Sequence, residues 1–412
     1  MPQPPASPLH TQACIAGGGP AGMMLGYILA RAGVRVTVLE KHGDFLRDFR
    51  GDTVHPSTME AMWELGLLDR FLKVPHDRLE QLTGQIGPDV IHLADLRHLP
   101  THARFIALMP QWDFLNFLAR EGAAFPEFDL RLSTEATGLI LDGDKVVGVT
   151  AVGSQGPFEI RADVVIAADG RTSLLRDKAG LPVKDLGAPM DVLWMRLSRR
   201  PGDEEIPLGR IDVGRVFVAL PRGDYFQCAY LIAKGGYDRV RADGLEALKV
   251  SIAETVPRFA DRVQELEDWD QVKLLTVAVD RLTTWARPGL LCIGDAAHAM
   301  SPVGGVGINL AIQDAVAAAN ALAGPLGAGT LAFEDLNKVQ AERYRPTARM
   351  QAVQLTIQRR VIGAVLKATA APRAPWPAKL FNLFPLLRRI PARVVGMGFK
   401  LEHVRTPNVH SV

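Results

Sequence analysis

The chain has 412 residues, 48% of them apolar and 22% charged, and a formal net charge of +2. That length exceeds one small core and suffices for a nucleotide-binding domain beside a second domain. The near-neutral charge excludes a dedicated nucleic-acid binder, which would carry a strong basic excess.

Residues 1–10 are proline-rich and hold no basic segment followed by an apolar run, so they read as an unstructured tail and not as a signal peptide. Ordered structure is expected from a strand at residues 13–17. A glycine turn, a helix over 21–32 and a strand over 35–40 complete a βαβ opening. In residues 51–71, Met59, Met62, Leu65 and Leu68 recur every three positions, a helical pattern interrupted by Gly66. A second amphipathic helix is expected over 111–121. Residues 131–168 alternate, carry the hairpin signal Asp142-Gly143 and end in the apolar run 164–168, as a doubly buried parallel strand does.

Residues 191–279 change character. Short β-rich runs at 192–197, 215–220 and 225–233, with one helix over 244–255, read as an antiparallel layer. From residue 290 the strand–loop–helix order returns. The apolar stretch 311–326 is interrupted by Asp314, Asn320 and Pro325, so no stretch is expected to span a bilayer. Cys14, Cys228 and Cys292 form no CxxC and have no zinc spacing. Neither a disulfide framework nor a metal site is expected, and the protein reads as reduced and cytoplasmic.

The expected fold is α/β. A discontinuous Rossmann-like domain occupies residues 11–75, 100–180 and 285–345; an antiparallel β-sheet substrate domain occupies 76–99 and 181–284; a helical C-terminal segment occupies 346–412.

The run from Ile15 to Gly22 fits GxGxxG at Gly17, Gly19 and Gly22. Such glycines permit a tight turn, a close approach to a pyrophosphate and close helix–strand packing. Helix N–H groups and the macrodipole then favour an anion. Pro20 and Ala21 complete the turn. Glu40 lies about 20 residues on, where a carboxylate binds ribose hydroxyls, with Lys41 beside it. This motif alone does not separate NAD from FAD.

Two later segments choose. One is Asp169-Gly170-Arg171-Thr172-Ser173; the other is Gly294-Asp295-Ala296-Ala297-His298, followed by Ser301-Pro302-Val303-Gly304-Gly305-Val306-Gly307-Ile308-Asn309. In this order the three motifs resemble the group A flavoprotein monooxygenases, relatives of para-hydroxybenzoate hydroxylase, over residues 11–350. The resemblance implies a discontinuous FAD-binding domain and non-covalent FAD. It gives Asp295 to the ribityl hydroxyls, the Gly304–Gly307 loop and the helix start at Ile308 and Asn309 to the isoalloxazine edge, and Pro302 to the ring face. Asp169 would serve FAD and, less directly, the reductant, with Arg171 holding its carboxylate. Arg50 matches the family arginine that reaches FAD from the loop after the second strand, and Gln111 the FAD-contacting glutamine. Asp295 would fit equally as a helix cap, Arg50 as a surface residue and Gln111 as a polar helix start. His298 is read as architectural.

The activity implied is hydroxylation of an aromatic or polyketide-like small molecule with NADH or NADPH and O2. Reduced flavin would add dioxygen at C4a, and the hydroperoxide would pass one oxygen to the substrate. The reductant would bind transiently, since there is no second GxGxxG. Arg50, Pro302 and His55 are expected nearest the chemistry, with Arg196, Tyr225, Gln227 and Tyr230 as substrate contacts. Each of these last four would serve equally as sheet packing, and Ser57 could cap the helix after His55. A flavin dehydrogenase, reductase or halogenase is the alternative; no tryptophan stands in the halogenase WxWxIP pattern. The partners expected are a small substrate and O2, no nucleic acid, and a monomer or homodimer. The basic, apolar stretch 356–405 fits a helical cover for the substrate domain, a contact with the inner membrane surface or a partner interface.

Overall fold

The computed structural model describes residues 8–46, 53–203, 208–370 and 372–410. Strand Leu9–Ala16 lies between Gly156–Ala167 and Val36–Leu39, parallel to both. Phe128–Arg131 extends the parallel order on one side and Leu290–Cys292 on the other, within an eight-stranded sheet. The first strand thus includes Leu9 and His10, which were expected to belong to an unstructured tail. The reason is the length of Gly156–Ala167, whose Ile160 and Arg161 pair with Leu9 and His10. The hairpin Glu135–Asp142 and Lys145–Gly153 turns at Gly143 and pairs with the first half of that strand.

The stretch expected as one helix over 51–71 is split. Thr53–Val54 is a strand, paired with Ile106–Leu108. Helix Pro56–Glu64 follows, then Leu68–Phe71. Pro56 biases residue 55 away from helical geometry, so the helix starts only after it, and Gly66 separates the two helices. The helix N-cap is His55, not Ser57, which lies inside the first turn.

A second, seven-stranded sheet runs Lys273–Leu275, Met190–Ser198, Tyr225–Ala233, Arg215–Arg222, Gly209–Asp212, Gln81–Ile86, Asp89–Asp95. Strand alternation gives it two faces. Leu193, Met195, Phe217 and Cys228 pack on Leu248, Ile252 and Phe259 of an outer helical layer. Val192, Val216, Ala229 and Leu231 turn the other way and meet Val303 together with Leu355 and Ile362 of the later helices.

Helix Gly307–Ala328 is almost wholly buried, and Phe333–Ile357 packs along it before entering a π turn at Gln358–Ile362. The helical stretch Val303–Ala328 is long and apolar enough to cross a bilayer, which corrects the expectation that no such stretch exists; 83% of its apolar window is buried inside the protein, as a core helix is. Helices Trp376–Leu383 and Arg389–Met397 close the chain against the second sheet and helix Pro56–Glu64.

Candidate active site

Four motif segments leave the carboxyl ends of four adjacent parallel strands. Gly17 follows Leu9–Ala16, Glu40 follows Val36–Leu39, Asp169 follows Gly156–Ala167, and Gly294 follows Leu290–Cys292. Open α/β sheets place ligands at that edge.

Gly17 has φ +111°, and a Cβ there would lie 2.3 Å from the Ala168 carbonyl oxygen. A Cβ at Gly22 would lie 2.0 Å from the Gly17 carbonyl oxygen, whereas Gly19 faces open space. The helix opens at Pro20, whose missing N–H costs nothing there. Gly19, the N-cap, offers no side-chain cap, so the first-turn N–H groups at Ala21 and Gly22 are left for a ligand. One Glu40 oxygen accepts from the Gly18 N–H at 3.2 Å and the other from the His42 N–H at 3.0 Å. The carboxylate therefore stands against the turn, with exposed Lys41 beside it.

The expected Arg171–Asp169 contact does not form. Arg171 instead lies 3.6 Å from the Asp295 carboxylate. The Asp169 carboxylate accepts from the Ser173 hydroxyl and, at 3.2 Å, from the Leu175 N–H of helix Leu174–Lys178. Burial pushes its pKa above the ordinary carboxylate value, and these hydrogen bonds only partly offset that. Buried Arg176 ties the two motif segments together, donating to the Arg171 carbonyl at 3.0 Å and the Ala296 carbonyl at 3.4 Å. Gly170 follows in the same turn, and a Cβ on Gly294 would press on Ala21 at 3.1 Å.

The glycine-rich loop is braced from distant segments. Thr53 donates to the Gly305 carbonyl at 2.8 Å, and Gly305 itself has φ +63°. The Asn309 side chain is fully committed. Its oxygen accepts from the His55 N–H and the Thr58 hydroxyl, both at 2.8 Å, and its amide donates to the Gly305 and Thr53 carbonyls. Asn309 therefore has no side-chain atom left for a cofactor and can offer only the backbone of the helix start. Pro302, Gly304, Val306, Gly307 and Ile308 form the turn and the helix start, where N–H groups lack intrahelical acceptors.

Sequence reasoning missed the braces. Gln351, Gln354 and Gln358 stand at i, i+3 and i+7, one face of a helix, and all are buried. Gln351 donates to the Asp280 and Ala299 carbonyls, Gln354 to those of Ser301 and Val303 at 3.0 and 2.7 Å, and Gln358 to the Ser301 hydroxyl. The signal was readable as three glutamines at helical spacing where apolar residues would be expected. A second brace is a buried chain of charges. His298 donates to Asp314 at 2.5 Å, Arg343 donates to Asp314 at 3.0 Å, and Arg343 reaches Glu402 at 3.4 Å. Burial alone would raise the Asp314 pKa; His298 and Arg343 together outweigh it and hold the carboxyl below its ordinary value.

Arg50 lies outside the described residues. Gln111 opens helix Gln111–Gly122, with Pro110 as N-cap. His55 is fully buried; its Nδ1 lies 2.8 Å from the Val395 carbonyl of the C-terminal helix, and burial pushes its pKa down to about 4. A cleft lined by Ser57, Val306, Asn309, Met350, Val395 and Phe399 runs alongside. Arg196, Tyr225 and Gln227 share the sheet face that meets Val303, paired in register with Gln227, Ser198 and Arg196 respectively. The Arg196 guanidinium sits 5.1 Å from the Tyr225 ring centre. Tyr230 does not join them. It packs on the outer helical layer and hydrogen-bonds Ser251 at 2.7 Å, because it is one residue out of phase.

The family model described as an FAD binding domain matches residues 10–352. The chain belongs to the group A FAD-dependent monooxygenases. It is 35% identical over 98% of its length, and 96% of the relative's, to a 6-methylpretetramide 4-monooxygenase of Streptomyces rimosus. It is 30% identical over 73% of its length to a rifampicin monooxygenase of Streptomyces venezuelae, spanning 61% of that protein. Solved structures share the monooxygenase fold. PqsL, a probable FAD-dependent monooxygenase from Pseudomonas aeruginosa, superposes at TM-score 0.72 with 22% identity, over 87% of this chain and 97% of that one. The anhydrotetracycline hydroxylase OxyS from Streptomyces rimosus does so at 0.72 with 24% identity, over 94% of this chain and 76% of its own. The monooxygenase's cofactor is FAD, with NAD(P)H as reductant. The residues present fit that group: an open cradle at Gly19, uncapped N–H groups, the Glu40 and Asp295 carboxylates, and a glycine loop that ends on a helix start.

Proposed function

We propose that this monooxygenase hydroxylates a polycyclic aromatic, polyketide-derived substrate bearing a phenolic or enolic hydroxyl, in the cytoplasm where NAD(P)H is at hand. The observation that carries this reading is the near end-to-end match to a 6-methylpretetramide 4-monooxygenase. Bound FAD supplies the redox chemistry, taking electrons from NAD(P)H and activating O2. The chain's part is to bind, orient and exclude water. Gly17, Gly19, Pro20, Ala21 and Gly22 would hold the pyrophosphate, Glu40 the adenosine ribose and Asp295 the ribityl chain. Asp169 and Gly170 would flank it, and residues 302–309 would stabilise negative charge at the ring edge through backbone N–H groups and the helix dipole.

His55 is the proposed hydrogen-bond acceptor for the substrate hydroxyl. The Val395 carbonyl can only accept, so Nδ1 carries the proton and Nε2 the lone pair. With a pKa near 4 the ring is neutral at neutral pH, and a buried neutral imidazole can polarise a phenol O–H and raise electron density on the ring carbon to be hydroxylated. Arg196, Tyr225 and Gln227 would line the opposite wall.

The test is substrate-stimulated NAD(P)H oxidation by the yellow, purified protein, run with isotopically labelled dioxygen on tetracyclic phenols and amides. One labelled oxygen in the product is the expected result. Turnover of NAD(P)H that no such compound accelerates, or product without labelled oxygen, would sink the reading.

A further inference from the structure

Large apolar side chains reach solvent in one concentrated place. Trp376, Leu383, Leu386 and Ile390 are 75%, 69%, 68% and 64% exposed, and every other large hydrophobic in the described residues except Leu46 is at or below 55%. Trp376 and Leu383 stand seven apart on helix Trp376–Leu383, which puts them on one side of it. That helix is anchored rather than loose. The Asn382 amide donates to the Val90 carbonyl at 2.7 Å and its oxygen accepts from the His92 N–H at 3.0 Å, so it covers the outer edge of the seven-stranded sheet. Lys379 pairs with Asp89 at 3.1 Å. The next helix, Arg389–Met397, buries Ala392, Gly396 and Met397 and turns Arg389, Ile390 and Arg393 outward.

Charge follows the same partition. Residues 356–405 carry ten lysines and arginines against Glu402 alone, and Glu402 is buried on Arg343. Since the whole chain carries only +2, the remaining residues together are net acidic. An apolar crest with a basic flank on an otherwise acidic body has one preferred orientation towards a negatively charged plane.

We propose that residues 376–390 and their basic flank form a docking surface for an anionic lipid bilayer. Trp376 and the leucines would enter the headgroup–acyl boundary while exposed Arg389 and Arg393 meet lipid phosphates. A second copy of the chain fits this surface poorly, because a twofold interface would set these arginines against their own mates. The same helix carries the Val395 carbonyl that holds His55, so docking would bring the active-site wall to the lipid where a greasy substrate partitions. This inference stands on the surface alone and does not depend on the substrate proposed above.

The test is flotation of the full-length holoenzyme with vesicles of phosphatidylcholine, alone or mixed with phosphatidylglycerol, at low and high salt. The expected result is at least tenfold more bound protein on the anionic vesicles, lost at high salt. Trp emission should shift to the blue on binding, and the shift should vanish in Trp376→Phe. Leu386→Ser with Ile390→Ser, and separately Arg389→Gln with Arg393→Gln, should each cut binding at least tenfold with flavin content unchanged. Equal binding to both vesicle types, or none, overturns the proposal. So does concentration-dependent self-association without lipid that the Leu386→Ser, Ile390→Ser variant abolishes, which would assign the surface to a second copy.

Discussion

The two ends of the proposed flavin site are built by different physics. At the phosphate end, backbone does the holding: Gly17 and Gly22 let strand, turn and helix approach within distances no side chain tolerates. At the ring end, side chains from far along the chain do it: Asn309, Gln354, Gln358 and the Asp314 network grip a loop that has little internal structure of its own. A backbone cradle is set by a few adjacent residues, whereas a braced loop depends on a fold completed by the last quarter of the chain. The ring end is therefore the more tunable of the two.

The sharpest break of this contrast is at Gly17. Gly17→Ala combines a positive φ with a Cβ against the Ala168 carbonyl, and neither side can yield. Purified protein should carry no flavin, and the site should lose several kcal/mol of stability. Retained flavin absorbance would contradict the backbone account. Asp314→Ala comes next. It leaves Arg343 buried with only the more distant Glu402 carboxylate and the Lys400 carbonyl, and removing one partner of a buried pair costs about 3–5 kcal/mol. Chemical denaturation should register that loss, and Asp314→Asn should recover only part of it.

A milder and more selective change is Gln354→Ala. The Ser301 and Val303 carbonyls lose their donor, at about 1–3 kcal/mol. Flavin should remain bound, because the phosphate end is untouched, but its visible spectrum and reduction potential should shift. Loss of all flavin would make the two ends one cooperative unit and dissolve the comparison.

The smallest effect is a pH dependence. The folded-state pKa of His55, about 4, lies below its unfolded value of 6.5. The unfolded chain therefore binds its proton first, and stability is full above pH 6.5 and falls as pH drops towards 4. At pH 5 the loss from this residue is roughly 2 kcal/mol. Denaturation midpoints of wild type and His55→Gln at pH 7 and pH 5 should differ in slope by that amount.

The contrast also decides what could be read from sequence. The glycine turn is local, so the close approaches at Gly17 and Gly22 and the place of Glu40 against them were legible from spacing and residue type. That the Asp169 and Asp295 segments leave the same sheet edge became legible once the three motifs were taken in order. The mismatches are all long-range or one residue out of phase. Arg171 meets Asp295 instead of Asp169 because the two loops emerge side by side from adjacent strands. Tyr230 was a plausible substrate contact until strand alternation put it on the outer face. Nothing near Asn309 announces that its amide is consumed by Thr53 and His55, more than 250 positions away.

One contact carries an ordering in time. Arg343 and Asp314 emerge from the ribosome well before Glu402, which then has to thread back to a site whose other members are already in place. The Glu40 carboxylate, by contrast, meets the glycine turn across only 22 positions. Nascent chains would thus form the glycine turn early and settle the helix that carries Asp314 and Arg343 only once Glu402 has emerged, so chains stalled before that residue should load flavin poorly.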